Sequence, residues 1–148
     1  MSEHKAILNW KRNDTGFGYK EYPRGHQWSF PRSGQTLNAS AAVEYLGDEN
    51  ATDPEEAFTA ALASCHMLTF LAIASMSGFV VDSYEDEAIG KLEKADDGKP
   101  WLAKIVMNPQ ITFSGDKQPS ADDIEKLHNK AHHECFLARS VKTEIVWA

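Results

Sequence analysis

The chain has 148 residues, 42% of them hydrophobic, two cysteines and a formal net charge of −7. This length fits one domain over residues 1–148, and the acidic balance argues against nucleic acid or an anionic membrane surface as partner. Two cysteines are too few for a disulfide scaffold, and the first residues do not resemble a signal peptide, so we expect a cytoplasmic protein.

The first third of the chain is typical of β-structure. Four short runs with strand-like composition are separated by Gly, Pro, Asn and Asp, namely Lys5–Trp10, Tyr19–Tyr22, Gln27–Phe30 and Leu37–Leu46. A helix start follows, because Asp53 suits the N-cap, Pro54 the first helical position and Glu56 the third position of a capping box. These signals predict a helix from Pro54 to Ser77.

Most of this helix is strongly apolar. The stretch from Ala57 to Val81 contains no Asp, Glu, Lys or Arg, and a run of that length passes the usual test for a transmembrane helix. However, it is rich in Ala, contains His66 and several Ser and Thr residues, and has no flanking cluster of Lys or Arg. We therefore interpret it as the buried central helix of a soluble protein.

The second half of the chain returns to β-structure. Val80–Glu93 and Trp101–Phe113 are predicted as two long strands joined by a hairpin connection with Asp-Gly at its centre. Ser120 then caps a second helix, whose apolar residues recur at steps of three and four as far as Ala138. A last strand covers Val141–Trp147. The order β-β-β-α-β-β-α-β predicts an α+β fold, mostly antiparallel, with helices packed on the sheet.

The two cysteines are the first candidates for chemistry. Cys65 lies in the middle of the apolar helix, where a free cysteine is usually a small buried side chain but can also be a reactive thiolate. Cys135 lies on the core-facing stripe of the second helix. If the two sulfurs meet, a sulfenic acid formed on one can condense with the other to a disulfide.

A reactive thiolate at neutral pH needs a positive charge or hydrogen-bond donors beside it. The candidates are Arg12, Arg24 and Arg32 in the first third of the chain, and His66 next to Cys65. Arg24 is the most interesting, because it lies in a tight turn between a proline and a glycine. A solvated turn residue is the plainer interpretation of the same arginine.

Glu55 differs from Glu56 because it has no capping role, so it can orient an arginine. The ten residues from Glu55 to Cys65 span about 15 Å of a straight helix. Within one chain the two side chains are therefore too far apart to touch. If both serve one site, two copies of the chain meet there, and we expect a homodimer.

A metal site is the alternative use of the second helix. His128, His132 and Cys135 share one face at spacings of four and three, and imidazole and thiolate are the usual ligands of zinc. A fourth ligand would come from His133, Cys65 or His66. In the plainer interpretation these histidines are half-exposed and tune a pocket or face solvent.

The motif around the first cysteine resembles a known family. Asp53–Phe58 and Ala60–Cys65 resemble the central helix of the OsmC/Ohr proteins (osmotically inducible protein C and organic hydroperoxide resistance proteins), in which Asn-Pro-Glu precedes the reactive cysteine by about this distance. A second cysteine on a later helix and the order of strands and helices agree with it. The resemblance implies an OsmC-like fold, an intertwined homodimer with its sites at the subunit interface, and no metal, haem or other cofactor.

The resemblance also implies roles for individual residues. Cys65 matches the cysteine that attacks the peroxide, Cys135 matches the resolving cysteine, and Glu55 matches a glutamate that pairs with an N-terminal arginine, for which we take Arg24. The implied activity is a thiol-dependent peroxidase that reduces organic hydroperoxides to alcohols in oxidative stress defence. Its implied reductant is a dithiol, often a lipoyl group.

The chain differs from the family pattern at Asp53, at His66 and around Cys135, where Gly-Cys-Pro is absent. Apolar side chains are expected to form a pocket for the organic part of the substrate, namely Phe58, Leu62, Leu68 and Phe70. The alternative function is a non-catalytic module on the same scaffold that binds a small apolar ligand, or a metal through the His/Cys cluster.

Overall fold

The computed structural model describes all 148 residues, which form two compact units, residues 1–57 and 58–148. The elements follow the order β-β-β-α-β-β-β-β-α-β. All strand pairs except one are antiparallel. The predicted α+β class is therefore confirmed, but each of the two long strands predicted after the central helix is divided in two.

Residues 1–57 contain a small antiparallel sheet. Its strands lie in chain order as β1 (Ile7–Asn9), β2 (His26–Phe30) and β3 (Gln35–Ala39). The predicted strand at Tyr19–Tyr22 is wrong, because this run folds into a turn in which the Glu21 N–H donates to the carbonyl oxygen of Gly18.

The last predicted strand of this unit is also shorter than expected. It ends at Ala39, and Val43–Tyr45 form a short 3₁₀ helix. Leu46, which follows this helix, has φ of 64°, a left-handed conformation that no β-strand contains. The run Leu37–Leu46 therefore cannot be one strand.

Helix α1 (Pro54–Met76) starts as predicted. Asp53 Oδ1 accepts the N–H of Glu56 at 2.8 Å, and Glu56 Oε2 accepts the N–H of Asp53 at 3.3 Å, which confirms the capping box. The helix ends just before Gly78, whose φ of 79° is left-handed and terminates the helix.

One face of α1 is buried within the chain. Its buried side chains follow a helical stripe: Thr59, Leu62, His66, Phe70, Ile73 and Ala74. By length and composition α1 could also cross a membrane, with a mean hydropathy of 1.7, a test that core helices of soluble proteins pass as well. The buried stripe accounts for the apolar side chains on the core-facing side of α1 and not for those on its other side.

Four strands between the helices form a bent two-stranded ribbon. They are β4 (Val80–Asp86), β5 (Ile89–Lys94), β6 (Pro100–Met107) and β7 (Pro109–Ser114). β4 pairs with β7 and β5 with β6, and the predicted hairpin connects β5 to β6 through Gly98, at φ 79°. At the bend, Asp86 Oδ1 accepts the N–H of Asn108 at 2.7 Å. This contact lies where both long strands were predicted to continue.

Helix α2 (Ala121–Glu134) and strand β8 (Glu144–Trp147) complete the chain. Ser120 caps α2 in a capping box with Asp123, as the Ser120 signal predicts. The helix is shorter than predicted, because Cys135 is its C-cap residue and has extended backbone angles. β8 pairs in parallel with β6.

Two apolar clusters hold α1 in place within residues 58–148. One joins Phe70, Ile73, Ala74 and Phe79 to Leu127 and Ala131 of α2. The other joins Leu62 to Ile105, Met107 and Ile145 on β6 and β8. Burial of each large side chain stabilises the fold by about 1.5–3 kcal/mol. Because Leu62 and Phe70 anchor α1 on both sides of Cys65, the position of that cysteine is fixed.

Candidate functional site

The two cysteines meet where α1 passes the end of α2. The sulfur atoms of Cys65 and Cys135 lie 2.7 Å apart, and both residues are free thiols. This distance is longer than a disulfide bond but shorter than an ordinary contact between two unbonded sulfurs. Residues far apart in the sequence thus form one dithiol pair.

Cys135 is the sealed member of the pair. Its exposed fraction is 0%, and the N–H of Ala138 donates to its sulfur at 3.4 Å. Burial raises the pKa of the Cys135 thiol, and the hydrogen bond with Cys65 raises it further. Cys135 is therefore held as the protonated thiol at neutral pH.

Cys65 is only partly buried, and it borders a groove with a volume of about 720 Å³. One wall of the groove is the outer face of α1, and the other is formed by the end of α2 and the residues after it. The lining is mostly apolar and includes Ala61, Leu68, Met76, Phe136 and Leu137. Such a groove can hold an organic group next to the Cys65 sulfur.

The expected apolar pocket is only partly present. Of the residues predicted to form it, Leu68 lines the groove. Leu62 and Phe70 lie in the two core clusters instead, because they belong to the buried stripe of α1, and Phe58 is not part of the groove lining. A helix periodicity alone does not distinguish the core face from the ligand face.

Two charged groove residues were not predicted from the sequence. Lys130 and Glu134 lie one turn apart on α2 and line the same groove as Cys65. The sequence contained a signal for them, because both precede Cys135 and are four residues apart, a spacing that places two side chains on one face of a helix.

The histidine beside the first cysteine lies in the core. His66 has an exposed fraction of 1%. Its Nε2 forms a hydrogen bond with Nδ1 of His128 at 3.0 Å. The two imidazoles stack at a centroid distance of 5.3 Å, and Trp147 contacts both. We call His66, His128, His132 and Trp147 the histidine cluster. His66 lies in the core because it falls on the same buried stripe of α1 as Leu62.

The electrostatics of the His66–His128 pair favour neutral rings. Burial, with smaller effects of His128 and His132, lowers the pKa of His66 to about 4. Burial also lowers the pKa of His128. The Nδ1 atom of His66 is buried without a hydrogen-bond partner, so a second proton on this ring would be poorly compensated.

The structure contains no arrangement of side chains that matches the zinc hypothesis. The side chains expected on one helix face separate, because Cys135 contacts Cys65 whereas His128 contacts His66. No group of three or more His, Cys, Asp or Glu side chains in the chain is arranged to hold a metal ion. The proposed ligands therefore form a dithiol pair and a histidine pair.

Arg24 and Glu55 belong to residues 1–57. The guanidinium of Arg24 donates to the carbonyl oxygens of Tyr22, at 2.5 Å, and of Tyr19, and it stacks on the Tyr22 ring at 3.8 Å from the centroid. Such stacking holds a cation in a defined orientation. Glu55 lies in the first turn of α1, where the helix dipole favours a carboxylate. The roles of Arg24 and Glu55 at the thiol stay predictions.

Comparisons with known proteins give results that agree with one another. A model of the family described as OsmC-like protein matches residues 47–148. The uncharacterized protein YmaD of Bacillus subtilis is 26% identical over 151 residues, covering 98% of this chain and 91% of that protein.

Solved structures agree with this match. An OsmC-like protein of unknown function from Vibrio cholerae is 46% identical, with a TM-score of 0.93 over 100% of this chain and 99% of the other. The organic hydroperoxide resistance protein OsmC from Legionella pneumophila, also named a predicted redox protein, is 16% identical, with a TM-score of 0.70 over 100% and 99% of the two chains. At that lower identity the likeness shows the fold alone. On the family match and the similarity to the Vibrio cholerae protein, this chain belongs to the OsmC-like protein family.

Proposed function

We propose that this protein is a thiol-dependent peroxidase that reduces organic hydroperoxides to alcohols. The observation that carries the proposal is the distance of 2.7 Å between the Cys65 and Cys135 sulfurs beside an apolar groove. The name of the Legionella pneumophila protein supports the same class of substrate.

The reaction uses both sulfurs in turn. The Cys65 thiolate attacks the distal oxygen of the hydroperoxide, the O–O bond breaks, and the leaving alkoxide takes a proton to become the alcohol. Cys65 is then a sulfenic acid. The Cys135 thiol attacks this sulfur, water leaves, and a disulfide joins the two residues. An external dithiol reduces the disulfide and becomes oxidised itself.

The asymmetry of the pair supports this order of events. Cys65 borders the groove, whereas Cys135 is sealed and its pKa is raised. A peroxide that enters the groove therefore meets Cys65 first. The apolar lining favours alkyl and aryl hydroperoxides over hydrogen peroxide, which has no apolar surface to bury.

The remaining parts of the proposal come from the family resemblance. Arg24 stabilises the thiolate and binds the peroxide oxygens, Glu55 orients Arg24, and the working form is a homodimer. The reductant is a dithiol of the lipoyl type. A reducing compartment such as the cytoplasm suits a cycle that returns both cysteines to thiols.

The first test is consumption of cumene hydroperoxide by purified protein with dihydrolipoamide as reductant. We expect turnover by the wild type, slower turnover of hydrogen peroxide, and no turnover by Cys65→Ser. Full activity in Cys65→Ser would refute the proposal.

Cys135→Ser separates the two halves of the cycle. We expect one equivalent of hydroperoxide to oxidise Cys65 to a sulfenic acid in this variant, because the attacking sulfur is unchanged. The wild type should instead form a Cys65–Cys135 disulfide, detected by mass spectrometry of peptides. Normal disulfide-dependent recycling in Cys135→Ser would show that Cys135 serves only as a core residue.

A second candidate function is a non-catalytic module that binds a small apolar ligand. The groove favours it, because apolar walls bind apolar molecules whether or not Cys65 reacts. Calorimetry with cumyl alcohol, which cannot be reduced, combined with the peroxidase assay distinguishes the two. Binding of the alcohol without any consumption of the hydroperoxide would favour the module.

A further inference from the structure

The two sulfurs of the dithiol pair differ in access. Cys65 lines the groove. Cys135 is fully buried and does not line the groove. In thiol–disulfide exchange the attacking thiolate must reach one sulfur directly, and access decides which sulfur is attacked.

We propose that the reducing thiol attacks the Cys65 sulfur alone, from the groove, and that Cys135 is always the leaving group. This inference rests on the proposed function for the physiological formation of the disulfide. It assigns Cys65 both contacts with the outside, with the oxidant and with the reductant, and leaves Cys135 a purely internal partner.

The exchange passes through a mixed disulfide between the reductant and Cys65. The reductant thiol R–SH loses its proton and attacks the Cys65 sulfur, so that an R–S–S–Cys65 bond forms as the Cys65–Cys135 bond breaks. Cys135 leaves with the bonding electron pair and takes up a proton. The second thiol of the reductant then attacks the reductant's own sulfur in the mixed disulfide. Cys65 is released as a thiolate, and the reductant leaves as a cyclic disulfide.

The surroundings of Cys135 keep its sulfur in place when the disulfide breaks. The N–H of Ala138 donates to its sulfur at 3.4 Å, which stabilises the charge that develops as the bond breaks. Burial raises the pKa of the Cys135 thiol, which makes it the poorer leaving group of the two sulfurs, so access and not leaving-group ability selects the attacked sulfur. Once released, the Cys135 sulfur is protonated at neutral pH.

The same geometry explains a requirement for a dithiol. After a monothiol has attacked Cys65, Cys135 remains beside the mixed disulfide, because their sulfurs lie 2.7 Å apart in the reduced protein. Cys135 can therefore attack again and expel the monothiol. A dithiol removes itself by an intramolecular step that competes with this return.

The experiment starts from the disulfide form of the wild type, made with diamide so that no peroxidase activity is needed. The oxidised protein is mixed with excess 2-mercaptoethanol, quenched rapidly with acid, alkylated with N-ethylmaleimide and digested for mass spectrometry. We expect the mercaptoethanol adduct on Cys65 and the maleimide on Cys135. An adduct on Cys135, or equal adducts on both, would overturn the proposal, as would failure of diamide to form the disulfide.

A pair of variants tests the route through the groove. Ala61 lines the groove one turn before Cys65, whereas its neighbour Ala60 is exposed and does not line it. We expect Ala61→Trp to slow reduction of the disulfide by dihydrolipoamide about tenfold or more, because the attacked sulfur loses access. In Ala60→Trp the disulfide should be reduced at the wild-type rate. Equal rates in the two variants would refute attack from the groove. Because diamide supplies the oxidation, a protein that fails as a peroxidase can still pass this test.

Discussion

The buried His66–His128 pair makes the protein sensitive to acid in a way that can be calculated. His66 has an exposed fraction of 1% and a folded-state pKa of about 4, whereas an unfolded histidine titrates near pH 6.5. Below about pH 6.5 the unfolded chain therefore binds a proton that the folded chain excludes. The stability is complete above that pH and is lost as the pH falls towards 4.

The size of this loss follows from the two pKa values. Each pKa unit corresponds to about 1.4 kcal/mol, so the full contribution of His66 is about 3 kcal/mol. Between pH 7 and about pH 4.5, integration of the proton linkage gives a loss of about 2 kcal/mol from His66 alone. That is a large part of the stability of an ordinary domain.

Urea unfolding followed by circular dichroism at a series of pH values measures this term. We expect His66→Phe to lose about 2 kcal/mol less than the wild type between these pH values, because phenylalanine keeps the ring and cannot be protonated. The control is His133→Gln, at an exposed position of α2, which should keep the wild-type pH dependence. Identical pH dependence in the wild type and His66→Phe would refute this explanation, whatever the absolute stability of the variant.

Two further predictions use matched pairs of variants. Gly90→Ala should destabilise the fold by about 1–3 kcal/mol in urea unfolding, because the new Cβ would lie 2.3 Å from the hydroxyl of a threonine on α1, whereas Gly25→Ala has no atom within 4 Å and should be neutral. Equal stabilities would contradict the close packing of β5 on α1. Arg24→Ala should slow alkylation of the groove thiol by iodoacetamide at neutral pH, whereas Arg12→Ala, which removes a hydrogen bond to a carbonyl of the same loop, should not. If both variants alkylate at the wild-type rate, another group must activate the thiol.

Local signals predicted the elements of this fold well where the determining contacts are local. The start of α1 depends on Asp53 and Glu56, which are three residues apart, and both hydrogen bonds of the capping box form. The start of α2 at Ser120 depends on the same kind of contact. Such interactions can be read from a short stretch of sequence.

Prediction failed where a contact joins distant residues. The long strands are divided at Asp86 and Asn108, whose hydrogen bond links positions 22 residues apart. The parallel pairing of β8 with β6 likewise depends on tertiary packing. At the site, the sequence indicated that Cys65 and Cys135 could meet, but the groove depends on which face of α1 is left uncovered. Helical periodicity predicts two such faces without saying which is buried.

The two cysteines enclose the whole β-ribbon, all of α2 and about half of α1, because they stand 70 residues apart in the chain. A disulfide between them would therefore close a very large loop. By lowering the entropy of the unfolded chain, it would raise the free energy of unfolding by about 4 kcal/mol at room temperature. Formation of the disulfide would stabilise the folded state, and its reduction would remove that stabilisation. A disulfide between the two cysteines would therefore protect the fold most under oxidising conditions.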